Sequence, residues 1–202
     1  MIKWKWLIVT ALACLLPILL GMAMWDRLPD TMAIHFDINN TPDNFASKGF
    51  VVLGLPIIMT VVQVILCITT DLNVKKHGDS KMVDLVTKWI IPVVTMALYV
   101  VTLLVGLGYN VDTRRVCAVV IGGVMLVTGA CLPKLDYVKS YDVDKETAKR
   151  INKLAGILMS VVGVLFFVSL LFPPEGMMVC IGLLAVSGIV ISVYASRISK
   201  GM

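Results

Sequence analysis

The chain has 202 residues, of which 58% are apolar and only 15% charged, and its mean hydropathy is +0.92. A soluble domain carries about a quarter of its residues as charges, so this composition excludes a water-facing globule and makes the bilayer the solvent. The net charge of +5 does not point to direct nucleic-acid binding, because the lysines and arginines flank the apolar runs, where they act as a topology signal.

Six uncharged apolar runs stand out: Trp6–Trp25, Phe50–Thr70, Trp89–Asn110, Val116–Pro133, Leu154–Phe172 and Met177–Ser196. Each is about 18 to 22 residues long, enough to cross a hydrocarbon core as a helix. In lipid every backbone amide must be satisfied internally, which selects helices over open strands. The predicted fold is an all-α membrane protein, a six-helix transmembrane bundle with a short ordered extracellular loop, a small β-hairpin, between helices 1 and 2. Residues 1–70 hold two spans and the outward loop 26–49. Residues 71–202 hold four spans with basic cytoplasmic loops.

Counting Lys and Arg on alternate sides gives fourteen against four. The positive-inside rule then puts both termini in the cytoplasm of the plasma membrane, although Arg114 and Arg115 vote the other way. The first span, with Lys3 and Lys5 before it and Gly21-Met22-Ala23 near its end, also fits a cleaved signal; its length and Trp25 favour a retained anchor. Pro17, Pro56, Pro92 and Pro133 mark kinks or helix ends. Small-residue ridges at Gly156/Ser160 and Gly188/Ser192/Ser196 read as packing within the bundle ahead of dimerisation. Cys14, Cys67, Cys117, Cys131 and Cys180 all lie in apolar runs with no CxxC pair, which speaks against a disulfide framework or metal cage.

Between the first two spans, Met32, Ile34, Phe36 and Ile38 alternate with Ala33, His35, Asp37 and Asn39. That period of two predicts a strand with one apolar and one polar face. Asn39-Asn40 is one turn signal and Thr41-Pro42-Asp43-Asn44 a second. His35 and Asp37 share the polar face, with Asp43 nearby. Three readings compete: a hydrogen-bond network that fixes the loop, a metal site, and an acid/base pair. The network leads, because further ligands and a nucleophile are both missing from the neighbourhood. No catalytic residue, metal or cofactor is therefore assigned, and the chain is not expected to be an enzyme.

The second informative connection is Lys134–Lys153. Asp142, Asp144 and Glu146 precede Lys149, Arg150 and Lys153, a charge order that suits a helix dipole, with Asp144 as the cap. Ala148, Ile151 and Ala155 fall on one side, so this helix should run into the fifth span. Its basic residues either meet the anionic inner leaflet, the favoured reading, or dock a cytoplasmic protein.

The stretch LPDTMAIHFDINNTPDNFASKG resembles the DUF1648 motif of bacterial multi-pass membrane proteins. The resemblance is carried by Leu28, Pro29, Ile34, His35, Phe36, Asp37, Pro42, Asp43, Phe45, Ser47 and Lys48. Two positions depart: Ala33 stands where that family usually has proline, and Asn40 where it has a turn glycine. The whole architecture resembles the SdpI-type immunity proteins, with Leu132-Pro133-Lys134 and Arg150-Ile151-Asn152-Lys153-Leu154-Ala155-Gly156 similar to the ends of their cytoplasmic segment. The middle of that segment, a Gly-Ile-Arg-Thr-Pro-Trp run, is absent. The resemblance implies protection from, or sensing of, a secreted peptide toxin by the outward loop, in which Pro29, His35, Phe36, Asp37, Pro42, Asp43, Phe45, Ser47 and Lys48 would bind the ligand or structure the loop. It also implies capture of a cytoplasmic transcriptional repressor by the Asp71–Lys88 and Lys134–Lys153 segments, through Lys134, Lys149, Arg150 and Lys153. The alternative function is a small-solute or peptide transporter or exporter. The sparse polar content of the spans, Gln63 and a few Ser and Thr, speaks against ion coupling.

Overall fold

The computed structural model describes residues 2–77, 81–135, 137–138, 143–172 and 175–200. Among the described residues seven α-helices account for most of the length: α1 (Trp4–Leu15), α2 (Pro17–Ala23), α3 (Leu55–His77), α4 (Lys81–Gly106), α5 (Thr113–Cys131), α6 (Lys145–Val168) and α7 (Glu175–Lys200). They make six spans long and apolar enough to cross a membrane, α1 and α2 sharing the first. The break between them falls at Leu16, where Pro17 cannot donate to the preceding turn and instead opens α2. Pro92 sits inside α4, and Pro133 lies in a short 3₁₀ turn, Leu132–Lys134, after α5.

A two-stranded antiparallel sheet joins the first two spans, β1 (Thr31–Phe36) and β2 (Pro42–Ser47), in the register Thr31↔Ser47, Met32↔Ala46 and Ala33↔Phe45. The predicted strand is present, but its apolar set is not on one buried face. Register shifts on either side of His35 interrupt the alternation. Met32 and Ala33 are buried, whereas Ile34 and Ile38 are about 40% exposed (39% and 41%). A bulge adds a residue on one strand and re-aims the side chains beyond it. The second turn signal, Thr41–Asn44, is also corrected. Pro42 begins β2, a position where its missing N–H costs no ladder bond.

The chain divides into two compact units, Met1–Lys75 with Thr87–Val116, and Lys76–Val86 with Cys117–Met202. In the first, Leu28, Met32, Val51, Val52, Tyr99 and Leu103 form a core beneath the hairpin, with Trp25 and Ala46 packed against it. Gly106 permits this contact: a Cβ there would stand 2.5 Å from Met32 Cε. In the second, Ala118, Val162, Phe166 and Cys180 form the core. There α5 and α6 approach closely at two glycine pairs. A Cβ on Gly129 would lie 2.8 Å from the Gly156 carbonyl oxygen, and one on Gly122 3.0 Å from that of Gly163. Gly156 and Ser160 thus serve packing inside this unit, while Gly188 faces open space.

Asp144 caps α6 as expected, accepting hydrogen bonds from the Glu146 and Thr147 amides at 2.8 and 3.0 Å. The helix continues unbroken to Val168, burying Ala148, Ile151 and Ala155. Lys139 and Asp142, part of the predicted basic segment, lie outside the described residues. All five cysteines are free.

Candidate functional site

The hairpin is fixed at its tip, its base and its floor. At the tip Asn40 adopts φ +64°, a left-handed conformation that asparagine tolerates better than most residues. Its side chain does more than stand in for glycine. Asn40 Nδ2 donates to the Val111 carbonyl at 3.0 Å, and Oδ1 accepts from the Thr113 amide at 2.9 Å and the Thr113 hydroxyl at 2.5 Å. Arg114 adds a bond to the Ile38 carbonyl at 3.2 Å while forking onto Asp112 through two nitrogens. The fork holds the Asp112 carboxyl below its ordinary value. The α4–α5 connection therefore clamps the hairpin tip.

His35 and Asp37, expected on one polar face with Asp43 nearby, each make a hydrogen bond within the loop, but with different partners. Asp37 accepts from the Thr41 and Asn39 amides at 2.7 and 2.9 Å and closes the turn. Those bonds, the one from the Thr41 backbone first, push its carboxyl below the ordinary value. His35 reaches instead to Asp43, with Nδ1 2.5 Å from Oδ1 across the two strands. An ionised carboxylate only accepts, so Nδ1 carries the hydrogen. Both side chains are open to solvent, 66% and 46% exposed. Among the described residues no group of three His, Cys, Asp or Glu side chains is arranged to hold a metal ion.

Lys48 pins the base. Its Nζ donates to the Leu28 carbonyl at 3.1 Å and the Trp25 carbonyl at 3.4 Å, lies 3.3 Å from Asp30 and 5.2 Å from the centre of the Trp25 ring. Its side chain is only 16% exposed, so it works inside the loop. Pro29, Pro42, Phe45 and Ser47 are exposed and Phe36 is half-buried. Phe45 is 57% exposed although it stands opposite buried Ala33.

A second polar cluster lies among the spans of the same unit, and sequence reading missed it. Lys88 Nζ meets Asp71 Oδ1 at 2.5 Å with each side chain 1% exposed. The Lys3 amide donates to the other Asp71 oxygen at 2.7 Å. Two helical turns away, Gln63 Nε2 lies 2.8 Å from both the Thr10 hydroxyl and the Lys88 carbonyl. α1, α3 and α4 are thus tied by side chains that water does not reach. Asp71 and Lys88 border the second and third apolar runs, and counting them as loop charges concealed that α3 and α4 carry straight through them. The spacing Gln63, Cys67, Asp71 at four-residue intervals was the available signal.

In the other unit Lys134, Lys149, Arg150 and Lys153 are all exposed, with Arg150 3.5 Å from Glu146. Asn152 turns inward from this basic run and donates to the Leu135 and Tyr137 carbonyls at 3.0 and 2.9 Å, anchoring the segment after α5. Asn152 was legible as the one polar residue on the Ala148/Ile151/Ala155 side.

Six apolar spans with an exposed, pinned hairpin between the first two define a multi-pass membrane protein. A family model described as a domain of unknown function, DUF1648, matches residues 12–60, roughly a quarter of the chain. The matched stretch takes in most of the first span, the entire hairpin and the start of the second span, so the chain carries a DUF1648 domain. No curated protein and no solved structure matches the chain.

Proposed function

We propose that this is a non-enzymatic plasma-membrane receptor or immunity protein whose hairpin faces outward and recognises a secreted antimicrobial peptide. The observation that carries the reading is the division of labour in the loop. Asn40, Asp37 and Lys48 are consumed in holding its shape, while Pro29, Phe45 and the His35–Asp43 pair are left exposed on a rigid mount. A preorganised mount lowers the ordering cost of binding. The resemblance to SdpI-type proteins and the fourteen-to-four charge asymmetry supply the ligand class and the bacterial cytoplasmic orientation of both termini.

Signalling to a cytoplasmic repressor is the second part of the proposal, with Lys134, Lys149, Arg150 and Lys153 as the contact. Asp71 and Lys88 leave that surface, since they are buried against each other. The test is resistance: cells producing the protein, challenged with a panel of secreted membrane-active peptides, should survive at least one of them better than control cells. His35→Ala, Asp43→Ala and Phe45→Ala at equal membrane levels should abolish that gain. No gain against any peptide, or an unchanged gain in all three variants, defeats the reading.

One observation favours the transporter alternative. The buried Asp71–Lys88 pair and the Gln63 cluster are the kind of intramembrane polar groups that mark solute pathways, and Gln63 Oε1 has no hydrogen-bond partner among the described residues. Solute or ion flux in liposomes holding the purified protein, lost in Gln63→Leu, would promote it.

A further inference from the structure

We propose that the outer edge of β2 is a docking site that an extended, cationic peptide segment fills by adding a third strand to the sheet. This rests on the hairpin being an outward-facing recognition element, and it specifies how recognition is made.

The backbone geometry supplies the template. The Lys48 amide donates to the Asp30 carbonyl at 2.8 Å, so the backbone groups of Lys48 and Ala46 face β1. By strand alternation those of Phe45 and Ser47 face the opposite way. Nothing in the described chain covers that side: Pro42, Asp43, Asn44, Phe45 and Ser47 are all exposed. The devices that blunt a free edge, Pro42, Asp43 and the register shift beside it, lie at the start of the strand, and Asn44–Ser47 carry no charge. The edge is also held still, by the Asn40 clamp at one end and Lys48 at the other. A row of outward amides and carbonyls at strand spacing is satisfied by another polypeptide backbone, the mode of β-strand addition.

Charge selects the kind of strand. From Asp30 to Lys48 the chain carries three aspartates against one lysine; Lys48 bridges Asp30 and His35 meets Asp43, yet both of those carboxylates stay open to solvent. The Asp30 side chain is 98% exposed and that of Asp43 46%. Lys or Arg on the incoming strand would meet these carboxylates, while an apolar residue would cover Phe45.

The test uses the full chain in phosphatidylcholine nanodiscs, whose neutral lipid does not itself attract cations. A displayed library of random decapeptides is panned on these discs after depletion on empty ones, and one enriched peptide is synthesised. Enriched sequences should alternate Lys or Arg with β-branched or aromatic residues. Phe45→Pro removes an outward amide without touching the pairing of Ala46 and Lys48, and should weaken binding about tenfold. N-methylation of alternate peptide amides should do the same on the unaltered protein, which keeps the test valid if Phe45→Pro fails to fold. Peptides that bind both altered partners as well as the originals overturn strand addition while leaving peptide recognition standing. Absence of any enrichment over empty discs defeats both. Discs that instead trap hairpin-linked dimers, detected by Asn44→Cys cross-linking, overturn the proposed occupant.

Discussion

The Asp71 carboxylate and the Lys88 ammonium, 17 positions apart in the chain, meet at 2.5 Å with no more than 1% of either side chain open to solvent. The pair joins α3 to α4, and the Lys3 amide on the second Asp71 oxygen brings in the start of α1. Removing one partner strands the other charge in a low-dielectric interior, which costs about 3–5 kcal/mol, whereas replacing both by apolar groups is much milder. Asp71→Leu and Lys88→Met should each lower the thermal midpoint in detergent sharply. The double variant should recover most of that loss, so equal losses in singles and double would show that the pair is not a coupled unit.

Asn40 combines a left-handed backbone with three side-chain hydrogen bonds to the Val111–Thr113 segment. Asn40→Gly keeps the backbone preference but forfeits the clamp; Asn40→Ala forfeits both, adding about 1–2 kcal/mol of strain. Proteolytic cleavage within residues 31–47 should accelerate in the order Asn40, Gly, Ala. Equal cleavage of Gly and parent would mean that the clamp does not hold the tip.

Acid should loosen the hairpin through Asp37, whose carboxyl is held below its ordinary value of 3.8 by the Thr41 and Asn39 amides. A carboxyl depressed in the folded state contributes stability in full above its unfolded value, and that contribution is lost as pH falls through the folded one. Pepsin cleavage of the hairpin should therefore stay slow above pH 3.8 and rise below it. Asp37→Asn, which keeps an acceptor but cannot titrate, should remove that component of the rise.

The glycine contacts between α5 and α6 leave no room for a side chain. Gly129→Val would drive a branched carbon into the Gly156 carbonyl, 2.8 Å from the nearest Cβ position. Overpacking typically costs about 1–3 kcal/mol. Gly188→Val, where nothing lies within 4 Å, should leave the thermal midpoint unchanged, and a comparable loss at both positions would contradict the packing described for this unit.

The six spans were legible because a bilayer imposes length and apolarity on each helix independently, and the Asp144 cap and the buried Ala148/Ile151/Ala155 side followed from local spacing. The hairpin was legible as a strand and a turn at Asn39-Asn40. Its side-chain partners were not, because the register shifts beside His35 break the period-two rule, and which of Asp37 and Asp43 meets the imidazole depends on them. The Asn40–Thr113 clamp and the Asp71–Lys88 pair were invisible for a common reason. Each joins residues of different elements, hairpin tip to α5 and α3 to α4, and a sequence states what an element buries without stating which element it buries it against.

The central claim is that a rigid hairpin between the first two spans faces outward and presents β2. The most direct measurement is labelling with a membrane-impermeant maleimide in intact cells. Asn44→Cys on exposed β2 and Lys149→Cys on exposed α6 are each read against the parent chain with its five native cysteines. The account predicts labelling at residue 44 before permeabilisation and at residue 149 only after it. Labelling at 149 in intact cells, with 44 protected until permeabilisation, would contradict it.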